Sequence, residues 1–260
     1  LAVALGAYAL AVTRGGGGTS STLGLAGAAL VGLGLFLAVE RRTAAPLLDL
    51  ATLRRPGLAP ALVANLVVAT VMMATLVVGP FFLARALGLD DTRVGLVMSI
   101  GPAVSALTGV VAGRLVDRFG PAATVVAGTV AMIAGAAALA LLPNLFGVAG
   151  YVAALLVLTP GYQLFQAANT TAVMADVAAD RRGAVSGLLG LARNLGLVSG
   201  AAVMGTVFAL AAGGVDPATA APVAVARGLV VTFAVAAALL LAALGSVVAA
   251  RRRQPSNAAK

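Results

Sequence analysis

Apolar runs of about twenty residues return along the whole of this chain, each closed by a short polar stretch. They fall at 1–13, 23–39, 58–83, 94–112, 122–142, 148–173, 184–212 and 227–250. A helix rising 1.5 Å per residue needs about 20 residues to cross the ~30 Å hydrocarbon core of a bilayer. Backbone groups held in lipid have no water to bond, so an unbroken apolar run can satisfy them only as a helix. With 61% hydrophobic and 10% charged residues, the chain has too little polar surface for a soluble globule. The expected fold is all-α, a polytopic helical membrane protein whose solvent is the lipid bilayer. The first run opens on Leu1 without a basic flank, which predicts a truncated helix and not a signal peptide.

The formal charge of +9 is spread over the short connections, so it speaks for topology and against a nucleic acid partner. One alternating set of connections holds Arg41, Arg42, Arg54, Arg55, Arg114, Arg118, Arg181, Arg182, Arg251, Arg252, Arg253 and Lys260; the other holds Arg14, Arg85, Arg93 and Arg227. Twelve against four puts the first set, with the C-terminal tail, on the cytoplasmic side. The expected place is the plasma membrane. Cysteine and histidine are absent, so no thiolate metal site, disulfide or histidine base can be built, and enzyme readings lose their usual groups. Gly15 to Gly18 lack the Gly-Lys-Ser/Thr ending of a phosphate loop, and no cofactor or metal is expected.

Between the fourth and fifth runs stands Gly113-Arg114-Leu115-Val116-Asp117-Arg118-Phe119-Gly120. The pattern Gly-x-Leu-x-Asp-Arg-x-Gly resembles the short cytoplasmic loop that major facilitator superfamily transporters carry between the second and third helices of each half. Glycines permit a tight turn, Asp117 can cap or pair across a helix end, and Arg114 and Arg118 anchor the inner side. The pattern departs at its end, where Pro121 and Ala122 replace the usual basic residues and weaken any charge-pair latch. Two extra helices followed by six resemble the C-terminal part of the fourteen-span drug:proton antiporters of the EmrB/QacA type. Phe36 to Arg42 with Pro46-Leu47, and Arg181 to Gly187 with Arg193-Asn194-Leu195-Gly196, are similar to that family's passages. The resemblance implies extra helices over 1–39, a cytoplasmic connection over 40–57, a six-helix bundle over 58–250 and a cytoplasmic tail over 251–260.

Polar residues inside the runs separate helices that can face a cavity from helices that can face only lipid. In 148–173, Tyr151, Tyr162, Gln163, Gln166, Asn169 and Thr170 share a stripe about 120° wide at 100° per residue. In 58–83, Asn65, Met72, Thr75 and Gly79 share a face whose mix of amide and thioether suits bulky lipophilic ligands. Asn65, Met72, Thr75, Tyr162, Gln163, Gln166 and Asn169 are the substrate-cavity candidates; the alternative is that the amides bind neighbouring helices. Runs 122–142 and 227–250 look peripheral, and Gly101, Ser105, Gly109 and Gly113, like Gly196 and Gly200, are spaced for close helix packing.

Arg193 is the only charge deep inside a run, and can either bind an anionic group or pair with Asp176 or Asp180. No Asp or Glu lies mid-run, so a proton-carrying acid is expected in an N-terminal half outside this sequence. The function implied is proton-coupled efflux of lipophilic or cationic small molecules by alternating access, with antibiotic resistance as its consequence. The alternatives are an exporter of one endogenous metabolite or antibiotic, or the permease subunit of an ATP-driven complex.

Overall fold

Ala, Leu, Val and Gly dominate every run, and in the computed structural model the runs that it describes become helices. Residues 57–175, 177–214 and 219–252 are described. The chain divides into two compact units between Ala59 and Pro60, and the fold set out here is that of the second. The expected helices over 1–39, the connection over 40–56 and the tail over 253–260 lie outside the described residues.

Helix α1 spans Leu58–Phe81 and widens into a π-helical turn at Phe82–Ala86 just after Pro80. Proline removes a backbone donor and crowds the preceding turn, and a π-turn absorbs the mismatch. The next helical stretch, Asp91–Ala175, would be about 130 Å long if straight, several bilayers deep. Gly120 (φ 77°) and Gly147 (φ 57°) break it into α2 (91–119), α3 (121–146) and α4 (148–175). Only glycine takes such positive φ without strain, so each of these near-reversals costs a single residue. Pro121 follows Gly120 at the first position of α3, where its missing N–H costs nothing. A short 3₁₀ turn at Ala179–Arg181 leads into α5, Arg182–Ala211, and α6 runs Pro222–Arg252.

One sequence expectation is corrected here. Gly113 to Phe119 are not a loop but the last two turns of α2, and the joint is Gly120 alone. Leu115, Val116 and the arginine stems favour helix, so nothing stops α2 where its apolar run stops.

The interior is filled by Phe82, Met132, Leu139, Tyr151, Leu158, Phe165, Met204, Phe208, Leu229 and Phe233, all essentially inaccessible. Helices α3 and α6, expected at the periphery, each put one stripe into this core. α3 lies unusually close to α4: a β-carbon on Gly128 would sit 2.6 Å from the Phe165 backbone nitrogen, and one on Gly135 2.6 Å from Leu158 Cα. α5 meets α1 in the same way, with Gly196 against Leu66 and Ala69, and Gly200 against Thr70 and Met73. By contrast, α2 buries only Val97, Ala112 and Val116, and β-carbons on Gly101 or Gly113 would meet open space. The packing role expected of the α2 glycines is therefore confined to Gly109, which faces Gln163.

Candidate functional site

The polar stripe of α4 divides its work along its length. Tyr151 is wholly buried, stacked on Phe82 with ring centroids 6.4 Å apart, and its hydroxyl donates to Met98 Sδ at 3.6 Å. Gln163 donates from Nε2 to the Ser105 carbonyl at 2.9 Å and contacts Ser105 Oγ at 2.7 Å, reaching α2 over the bare surface of Gly109. Gln166 donates to the Tyr162 hydroxyl at 3.1 Å, one turn away on the same helix. Asn169, buried, donates to the Ala61 carbonyl of α1 at 3.4 Å. Gln163 and Asn169 thus tie α4 to two neighbours, while Gln163 and Gln166 stay partly exposed.

On α1, Asn65 is buried and donates to the Leu189 carbonyl of α5 at 2.8 Å. Its own amide oxygen is buried without a hydrogen-bond donor. Met72 is half-buried on the edge of the core. Thr75 is buried and spends its hydroxyl on the Met72 carbonyl at 2.7 Å. A residue that sequence reasoning passed over, Thr70, bonds the Gly196 carbonyl at 3.0 Å and so locks the α1–α5 seam. Its hydroxyl in an apolar run was the available signal, since a buried donor in lipid needs a partner.

At the Gly120 end of α2, Arg114, Asp117 and Arg118 are all exposed, Gly113 faces open space, and the Arg118 guanidinium lies 5.3 Å from the Phe119 ring centroid. Asp117 makes no ion pair or cap bond among the described residues. Asp180 does not reach Arg193: it lies beside Arg181 at 3.9 Å. Arg193 is exposed and unpaired among the described residues, and the other expected partner, Asp176, lies outside them.

The major facilitator superfamily family model matches residues 1–201 and, in a second overlapping alignment, residues 61–259. The chain is 29% identical over 174 residues to the multidrug efflux pump LfrA of Mycolicibacterium smegmatis, covering 67% of this chain and 34% of LfrA. It is 32% identical over 208 residues to the drug efflux pump JefA of Mycobacterium tuberculosis, covering 78% of this chain and 41% of JefA. The chain therefore spans between a third and a half of the length of these relatives. Among solved structures, it is similar to a bacterial homologue of the lysosomal transporter Spinster, with TM-score 0.61 at 19% identity over 90% of this chain and 57% of that one. Six apolar helices among the described residues, and family matches over residues 1–201 and 61–259, make this chain a multi-pass membrane protein that belongs to the major facilitator superfamily.

Proposed function

We propose that this chain supplies one six-helix bundle, with two preceding helices, of a proton-coupled multidrug exporter that works by rocking two bundles about a central cavity. The reading is carried by the similarity to drug pumps over most of the chain. Cavity-facing groups come from α1 and α4: Met72, Gln163 and Gln166 keep accessible surface, with Tyr162 behind Gln166. Asn65, Thr75 and Asn169 set the helix spacing behind that surface through their backbone bonds. The Gly120 end and the C-terminus lie in the cytoplasm, as the arginine distribution requires, in the plasma membrane. Protons drive export, and the acid that carries them belongs to the second bundle: among the described residues the acids, Asp90, Asp91, Asp117 and Asp180, all stand at helix ends.

The test is ethidium efflux from cells expressing the full-length transporter. Uncoupler-sensitive efflux, inhibited by structurally unrelated cationic dyes, is expected. Efflux insensitive to uncoupler rejects proton coupling, and the absence of dye competition points to a dedicated exporter of one compound.

A further inference from the structure

Arg193 is the one charged side chain among the described residues that lies more than two turns from either end of its helix. It stands about 16 Å along the axis from the first residue of α5 at 1.5 Å per residue. Contacts between α1 and α5 fix its level. Asn65 bonds the Leu189 carbonyl below it, and Gly196 packs on Leu66 and Ala69 above it, so α1 and α5 run side by side in the same direction. Asn169 bonds Ala61, which brings Gln166, one turn along α4, to the level of Asn65. Arg193 therefore belongs to a polar layer of the bundle and not to its rim.

At 100° per residue Arg193 lies about 60° from Gly196, at the edge of the seam with α1 and not on the far side of α5. Its side chain is exposed and has no counter-charge among the described residues: Asp90 is held by Arg93 at 3.3 Å, Asp180 lies beside Arg181, and Asp91 and Asp117 stand at helix ends. An unpaired arginine facing hydrocarbon is costly even on the mildest insertion scale, so such a charge belongs beside water or an anion. Guanidinium presents a planar fork that matches a carboxylate with two parallel hydrogen bonds.

We propose that Arg193 is a carboxylate-binding residue of the transport path, its guanidinium taking a carboxylate from the transported compound or from an acidic side chain of the second bundle. This deepens the exporter reading and rests on it. It adds lipophilic acids and zwitterions to the substrate class that the apolar and amide groups alone suggest.

The experiment uses the full-length transporter in cells, with two probes: ethidium, a cation without a carboxylate, and norfloxacin, which bears one. Efflux is normalised to the amount of protein in the membrane. If the compound supplies the carboxylate, Arg193→Gln lowers norfloxacin export by at least about tenfold and leaves ethidium within about twofold. If the second bundle supplies it, both probes lose about tenfold at unchanged membrane level. Arg193→Lys, which keeps the charge but not the fork, is expected to fall between and replaces the glutamine variant if that variant fails to insert. Wild-type export of both probes by Arg193→Gln overturns the proposal. So does a loss that merely tracks a fall in membrane level, which makes the arginine a headgroup anchor, and so does an equal loss in Asp176→Asn, which returns it to a local pair. A wild-type protein that exports neither probe rejects the exporter reading itself.

Discussion

The phenolic oxygen of Tyr151 occupies the space that a β-carbon on Gly79 would need, so α4 closes on α1 through a glycine and a buried hydroxyl. The contact sits one residue before Pro80, beside the π-turn that holds Phe82 against the same ring. Gly79→Ala is expected to destabilise the detergent-purified protein by about 1–3 kcal/mol through overpacking. Tyr151→Phe in the same chain should relieve part of this, because the ring carbon behind the oxygen still lies 3.3 Å from the new methyl. Thermal unfolding of the two single variants and the double variant measures it; wild-type stability in Gly79→Ala removes the proposed wedge.

Glycines that look alike in sequence should behave oppositely. Gly196→Ala drives a methyl against the Leu66 carbonyl and 2.8 Å from Ala69 Cβ, and should cost about 1–3 kcal/mol. A methyl on Gly101 meets open space, so Gly101→Ala should leave the bundle's stability unchanged or raise it by up to ~1 kcal/mol through helix propensity. Comparing unfolding temperatures of the two variants decides the matter, and equal losses would show that α2 is packed as tightly as α5.

The six helices were legible because lipid leaves a backbone no other way to bond itself, and apolar length alone marks each span. Their ends were not, because hydropathy reports where lipid stops and not where a helix stops. α2 runs on through Arg114, Asp117 and Arg118 until Gly120 and Pro121 turn it. The α4 polar stripe was legible as a face, but not its division into ties and open groups. Whether Gln163 reaches a cavity or a neighbour depends on Ser105 and Gly109 across the gap, which no periodicity within α4 can report. Helix pairing failed for a similar reason: Gly101 and Gly113 share the spacing of Gly196 and Gly200, yet only the second pair has a helix against it.

Orientation has a direct test in a chain that contains no cysteine. A single cysteine replacing Asp91, at the start of α2, should react with an impermeant maleimide added to intact cells, and one replacing Arg118, at the other end of that helix, should react only after permeabilisation. Both side chains are exposed, so access and not burial controls the outcome. Labelling of position 118 from outside would invert the proposed topology and move the C-terminus with it.

Asp117 lies in the last turn of α2, where the partial negative charge of a helix C-terminus disfavours a carboxylate by about 0.3–1 kcal/mol. It is exposed, and among the described residues neither Arg114 nor Arg118 pairs with it. Nothing in the bundle's own stability therefore accounts for an acid at this position. Asp117→Asn should leave the unfolding temperature unchanged or slightly higher, while dye efflux by the full-length transporter falls at least about tenfold, the loss of one charge-assisted bond that holds a single conformation across the two bundles. The two readouts separate the alternatives: a fall in stability would make Asp117 a structural residue, and wild-type efflux would show that the Gly113–Gly120 segment acts only as a helix joint.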